Sequence, residues 1–298
     1  MRYLSWPAVA VVGLVFGAIE ALLLTPAWAW LTAEPLQRMW PARLGWATVA
    51  GLLVATALAF VASRIRSTGE QRFVAFFILL GGLDVAAHAQ AAYLFEPDVT
   101  AARFTLVVVR IVVASAVFAG VATAAFHSLA PDAKRAPGLP VGDLGWLWRI
   151  STAAAIYFLL FMTAGLIIWP FVQEFYADQL AEGRLGLLNF DWEYLNGVWF
   201  ALLVLPILRL AVGDWLRAGV TAGLALMLIR GVAGLIVPNP ELPTQVRLWH
   251  VFEVSWSNFV YGITVAYLFV RPRRASRPFR ARPACPNPRS ASALDHPG

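Results

Sequence analysis

Eight apolar stretches, each about the length of a bilayer crossing, fill most of residues 6–270. A transmembrane helix needs about 20 consecutive, mostly apolar residues, and in lipid only helices and closed barrels satisfy every backbone polar group. We place the spans at 8–28, 44–63, 74–95, 104–126, 149–171, 196–213, 218–237 and 249–270. The sequence therefore predicts an all-α integral membrane protein built as a bundle of eight transmembrane helices.

The composition supports this class and excludes several kinds of site. Only 13% of the residues are charged, against about 25% in soluble domains. The single cysteine, Cys285, excludes an internal disulfide, a CxxC redox pair, a thiolate iron–sulfur site and a Cys-rich zinc site. The single lysine, Lys134, lies between spans and excludes a retinal Schiff base within a helix. The chain also has no Walker A, GxSxG or HExxH motif.

The distribution of basic residues predicts the orientation. Sixteen of the 23 Lys and Arg residues lie in the two termini or in the loops on the same side as the termini, against five in the other loops. The positive-inside rule then makes both termini cytoplasmic, and we expect a bacterial inner membrane. Ala27-Trp28-Ala29 imitates a signal-peptidase site, but Glu20 and the length of the apolar run favour a retained helix.

Two four-span halves are separated by a polar linker. We assign 1–128 to the first half, 129–146 to a cytoplasmic linker rich in Pro, Gly and Asp, and 147–270 to the second half. Residues 271–298, with seven Arg and six Pro, predict a disordered basic tail on the cytoplasmic side.

The halves carry weakly similar features. The segment from Glu96 to Arg103 precedes the fourth span, and a similar segment from Asn239 to Arg247 precedes the eighth. A 4+4 tandem repeat would give a pseudo-two-fold axis along the membrane normal; chance similarity between apolar helices is the alternative. Within the spans, Gly13 and Gly17, and likewise Gly219 and Gly223, are spaced for close helix packing.

Ionisable residues inside the spans are costly and indicate a functional site. Seven lie between the predicted mid-plane and the periplasmic face: Glu20, Asp84, His88, Arg110, Arg230, His250 and Glu253. On the eighth span the polar stripe continues through Ser257 and Tyr261, at three- and four-residue spacing. We predict that the seven converge in one cavity; mutual ion pairing of the Arg and acidic residues, without any ligand, is the alternative.

Three functions remain open from the residues alone. The leading hypothesis is a membrane redox or cofactor-binding protein in which His88 and His250 bind haem b, a transition metal or a quinone. In the metal form, His88, His250 and Glu253 are the ligands. The alternatives are a proton- or ion-coupled transporter or channel component, and a lipid- or isoprenoid-modifying enzyme. Any catalytic chemistry would fall to Glu20, Asp84, Arg110, Arg230 and Glu253.

The expected partners follow from the same features. The lipid bilayer is the main one, together with other membrane subunits or a periplasmic protein that could complete the site. Nucleic acid is not expected, because the basic tail is short and suits anionic lipid.

Overall fold

The structure, a computed structural model, is almost entirely helical. It describes residues 5–19, 36–95, 99–129, 145–181, 187–238 and 242–270. The helices are α1 (Trp6–Ile19), α2 (Leu36–Ala62), α3 (Gly69–Phe95), α4 (Ala101–Ala125), α5 (Gly145–Val172), α6 (Ala177–Ala181), α7 (Leu187–Leu210), α8 (Trp215–Ile236) and α9 (Thr244–Val270). A 3-10 turn, His127–Leu129, follows α4.

Six of these helices are long and apolar enough to cross a membrane, as expected for a multi-pass membrane protein. They are α2, α3, α4, α5, α7 and α8. The other two predicted spans correspond to α1, whose described part has 14 residues, and to α9, whose first half carries several ionisable residues. Glu20, the 271–298 tail and most of the 129–146 linker lie outside the described residues.

Short polar motifs fix where several helices begin. Thr68 and Gln71 form a capping box before α3, since each backbone N–H donates to the other's side chain at 3.3 Å. Thr100 caps α4 in a similar way. Asp214 caps α8 by accepting from the Arg217 N–H at 2.8 Å, directly after Gly213, whose φ of +96° suits glycine.

Small residues allow the closest helix contacts, as the sequence predicted. A Cβ on Gly13 would lie 2.9 Å from the Leu52 Cα of α2, and one on Gly17 would lie 3.0 Å from the Thr48 Cα. In α8, a Cβ on Gly223 would lie 2.4 Å from the Phe259 carbonyl oxygen of α9. These approaches are too short for any larger side chain, so the predicted packing role of these glycines is confirmed.

The two groups of helices use the same pairings. Helix α1 packs against α2 and α4, and α3 packs against α4; correspondingly, α5 packs against α7 and α9, and α8 packs against α9. Contacts between the groups join α2 to α8 and α7 to α3. An isolated antiparallel bridge, Ile65 with Ala211, ties the chain after α2 to the chain after α7.

The bundle thus has two distinct ends. We call the end with the Ile65–Ala211 pair the bridge end; there the Arg66 N–H donates to the Leu210 carbonyl at 2.8 Å and the Val212 N–H to the Arg64 carbonyl at 2.9 Å. At the opposite end α3, α5 and α8 finish and α4, α7 and α9 begin. We call it the polar end, because the buried His88, Glu193 and Glu253 lie nearest to it.

Candidate functional site

The polar stripe predicted on α9 faces inward, towards α5 and α7. Glu253 is 2% exposed, and Ser257 and Tyr261 are also buried. The Tyr261 hydroxyl donates to the Gly197 carbonyl of α7. Across from Glu253, α5 carries Gly165, where a Cβ would lie 3.2 Å from the carboxylate Oε1. The absent side chain at Gly165 therefore leaves room for the Glu253 carboxylate.

His250 connects this carboxylate to the turn after α5. Its Nδ1 lies 2.6 Å from Glu253 Oε2, and its Nε2 lies 2.8 Å from the Tyr176 hydroxyl. Burial, and then the charge of Glu253, raise the pKa of the Tyr176 phenol above its usual value, so Tyr176 is the donor to Nε2. With Glu253 ionised, Nδ1 donates to the carboxylate. Tyr176, His250 and Glu253 form one continuous relay.

A second carboxylate near the relay was missed in the sequence analysis. Glu193, in the second turn of α7, is 4% exposed. Its Oε1 accepts from Gln90 Nε2 of α3 at 2.9 Å and its Oε2 from Asn196 Nδ2 at 3.3 Å. Gln90 Oε1 in turn accepts from Arg230 Nη2 at 3.0 Å. A neutral amide therefore bridges the guanidinium and the carboxylate.

Arg230 projects from an irregular segment of α8. Residues Met227–Ala233 form a π-helix, a geometry that is uncommon and concentrated at functional sites. Next to it, Gly231 packs against α9 so closely that a Cβ would lie 2.7 Å from the Ser255 Cα. Arg230 Nε is buried and has no hydrogen-bond partner among the described residues. One donor of this guanidinium is therefore unsatisfied.

The relay and the amide bridge belong to one cluster. The charges of Arg230 and Glu253 both act on Glu193, and those of Glu193, Arg230 and Glu253 all act on the buried Tyr157 hydroxyl. We call this set the polar cluster: Gln90, Tyr157, Tyr176, Glu193, Arg230, His250 and Glu253. Three predicted site residues, Arg230, His250 and Glu253, come together in it.

His88 and Asp84 form a separate pair on α3. His88 Nδ1 lies 2.9 Å from the Asp84 carbonyl oxygen and 3.3 Å from Asp84 Oδ1. On the same helical face, Gly81 meets Ser115 of α4. Gln90 is two residues from His88 and so about 200° around the helix, on the side of α7 and α8. Among the described residues, Asp84 and His88 therefore lie apart from Arg230, His250 and Glu253.

The remaining predicted residues do not join the polar cluster. Arg110 is exposed on α4 and forms no ion pair among the described residues. Pairing of Arg110 or Arg230 with Asp84 or Glu253 is therefore not observed. Glu20 lies outside the described residues.

The expected metal site is not assembled in the part of the chain that the structure describes. No three His, Cys, Asp or Glu side chains there lie close enough to hold a metal ion, so His88, His250 and Glu253 are not a ligand set. No protein-family model, curated protein or solved structure matches this chain.

Proposed function

We propose that the polar cluster binds a lipid-soluble ligand with two carbonyl-type oxygens, a quinone being the matching class, and exchanges protons with it through Tyr176, His250 and Glu253. The observation that carries this proposal is the double engagement of His250. Its two ring nitrogens link a partly exposed phenol at the polar end to a carboxylate that is 2% exposed.

The relay has the properties that such proton exchange needs. A neutral imidazole accepts a proton at one nitrogen and releases one from the other, so the Tyr176 proton can move to Nε2 as the Nδ1 proton moves to Glu253. Both donor–acceptor distances are within hydrogen-bond reach. Conversion of a quinone to a quinol takes up two protons, and the electrons would come from a separate redox partner.

The second half of the cluster offers a place for a carbonyl oxygen. A buried donor without an acceptor is costly, and Arg230 Nε is such a donor. A carbonyl oxygen would satisfy it, while Gln90 keeps Nη2. Glu193 and Glu253 are the buried carboxylates of the polar cluster, and Gln90 joins Glu193 to Arg230.

The other hypotheses fit the geometry less well. A haem iron at His250 would have to displace either Tyr176 from Nε2 or Glu253 from Nδ1. A carrier needs access from both sides, but towards the bridge end the core is closed by Phe200, Tyr261 and Phe269, each at most 2% exposed. A site open to one surface is therefore favoured.

A binding experiment tests the proposal. Quinones quench tryptophan fluorescence, so decylubiquinone and menadione are titrated into the detergent-purified protein. We expect saturable quenching, weakened about tenfold in Glu253→Gln and in Arg230→Gln, which corresponds to one lost charge-assisted hydrogen bond. The control is His127→Gln, an exposed histidine on the 3-10 turn at the bridge end, which leaves quenching unchanged.

Other outcomes replace the proposal. Quenching that never saturates, or that is the same in all three variants, would contradict a quinone site. A Soret band that is present in the wild type and lost in His250→Gln would instead support haem binding. Substrate-dependent proton flux in liposomes, abolished by Glu253→Gln, assigns the same relay to a carrier.

The architecture behind the site is also a proposal. We infer that α1 and α9 cross as well, giving eight spans in a 4+4 tandem repeat, with halves 1–128 and 147–270. Three observations support the repeat: the matched pairings of the helices, the reciprocal bonds of the Ile65–Ala211 bridge, and helix caps at Thr68 and Asp214, the same 146 residues apart as the bridge partners. A two-fold axis through the bridge would exchange the halves.

The same proposal includes the orientation of the bundle in the membrane and a partner subunit. With the bridge end cytoplasmic, both termini are cytoplasmic and the polar cluster lies in the periplasmic half of a bacterial inner membrane. The basic segments next to the bridge end support this orientation. A further membrane subunit would be the source of electrons.

A further inference from the structure

One face of α4 carries a row of residues that take no part in the polar cluster. It consists of Arg103, Leu106, Arg110, Val113 and Val117, at spacings of three and four residues. Such spacing keeps all five on one side of the helix. Leu106, Val113 and Val117 are each about half exposed, and Arg110 is exposed as well. We call this set the α4 stripe.

Arg110 is the unusual member because of its depth. It lies nine residues after Ala101, the first residue of α4, and so about 13 Å along the axis. Half of a hydrocarbon core is about 15 Å. A guanidinium that faces lipid near this depth is costly, and its long side chain will extend towards the helix N-terminus, where Arg103 lies.

No carboxylate among the described residues of the neighbouring helices neutralises Arg110. Neither α4 nor the described part of α1 contains an acidic residue. On α3, Asp84 is paired with His88, and α3 meets α4 on the face of Ser115. That face is about 140° around the helix from Arg110. No described carboxylate therefore balances the charge of Arg110.

We propose that the α4 stripe binds an anionic phospholipid, with its phosphate held by Arg110 and an acyl chain lying along Val113 and Val117; Arg103, two turns nearer the start of α4, adds positive charge. A guanidinium forms paired hydrogen bonds with phosphate oxygens. The apolar residues continue from Arg110 towards the middle of the membrane, which is the course an acyl chain takes. This proposal is independent of the quinone site.

A second copy of the chain fits this face less well. In one membrane, two copies related by a two-fold axis present the same residues to each other. The Arg110 side chains would then face one another, and like charges would oppose the contact.

The test compares anionic and zwitterionic lipid. Phosphatidylglycerol and phosphatidylcholine are titrated separately onto the delipidated protein, and bound lipid is counted by native mass spectrometry. We expect the wild type to prefer phosphatidylglycerol. Arg110→Gln and Arg103→Gln each weaken phosphatidylglycerol binding about fivefold and leave phosphatidylcholine binding unchanged, while Arg110→Lys loses less. The control, Arg209→Gln, changes an exposed arginine near the bridge end and keeps the preference.

Thermal unfolding gives a second readout, because the effect of Arg110→Leu on the unfolding midpoint should have opposite signs in the two lipids. Arg110→Leu should raise the unfolding midpoint in phosphatidylcholine nanodiscs, since a lipid-facing charge is removed, and lower it relative to wild type in phosphatidylglycerol nanodiscs. Equal lipid preference in wild type and Arg110→Gln overturns the proposal. So does efficient disulfide dimerisation of Val113→Cys in native membranes, which would assign the stripe to a protein contact.

Discussion

The two proposed halves place opposite charges at corresponding positions of their last two helices. Asp84 on α3 and Arg230 on α8 are 146 residues apart, as are the bridge partners Ile65 and Ala211. Arg110 on α4 and Glu253 on α9 are 143 residues apart, matching the starts of those helices, Ala101 and Thr244. At these positions the first half has an acidic residue followed by a basic one, and the second half has a basic residue followed by an acidic one.

The surroundings of these two pairs of charged residues differ. In the second half, Glu253 is buried and holds His250, and Arg230 reaches Gln90 across the bundle. In the first half, Asp84 pairs with His88 one turn further along its own helix, and Arg110 is exposed. Position along a helix therefore fixes the depth of a charge, while helix packing decides whether it enters a network.

The largest expected effect comes from removing the buried member of the second pair. Glu253→Ala takes away the acceptor of His250 Nδ1 and leaves a cavity beside Gly165, so we expect a loss of about 3 kcal/mol in unfolding free energy. Arg110→Ala, at the corresponding exposed position, should change it by less than about 0.5 kcal/mol in neutral detergent. Unfolding titrations with SDS measure both, and similar losses for the two variants would contradict the contrast in burial.

A smaller loss of stability is expected from a substitution at Tyr176, the partly exposed end of the relay. Tyr176→Phe removes one hydrogen bond to His250 and should cost about 1 kcal/mol. Tyr267→Phe is the control, because Tyr267 is exposed on α9. If both substitutions have the same effect, the relay does not stabilise the fold.

The raised pKa of Tyr176 adds a pH dependence with a definite sign. The folded protein holds this phenolic proton more tightly than the unfolded chain does, so the stabilisation is complete below the ordinary tyrosine pKa of about 10. It is lost as the pH rises beyond that value. Phenolate absorbance at 295 nm, compared between wild type and Tyr176→Phe, follows the ionisation of this residue; ionisation of Tyr176 below pH 10 would contradict the assignment.

The smallest effects test the repeat itself. Thr68→Ala and Asp214→Ala remove helix caps at corresponding positions on either side of the bridge, and each should cost about 1 kcal/mol. Thr105→Ala, an exposed position inside α4, is the matched control. Thermal unfolding midpoints compare the three; strongly unequal effects of the two caps would weaken the proposed equivalence.

Hydropathy was enough to predict six of the long apolar helices. Six spans were confirmed within a few residues, since length and apolar composition alone determine them. Glu193 was missed because the run Asp191-Trp192-Glu193-Tyr194 is polar and moved the predicted start of that span to 196. The structure extends the helix back to Leu187, which brings Glu193 into the bundle.

Side-chain partners were harder to predict than helices. Gln90 carries no charge and gave no signal as a site residue, although it joins Arg230 to Glu193. Arg110 was placed in the site by depth alone. Arg110 lies three residues after Val107 and four before Ala114, at the edge of the buried face of α4, so its spacing did not reveal that its side chain is exposed. The π-helix at Met227–Ala233 left no mark in the sequence pattern.

The Ile65–Ala211 bridge constrains how this bundle can move. Two backbone hydrogen bonds fasten the loops that follow α2 and α7, and these are the only backbone ties between strands of chain from the two groups of helices within the described residues. Any hinge motion that parts the halves therefore has its fulcrum there. The widest opening would occur at the far end, between α3 and α7, where Gln90 meets Glu193.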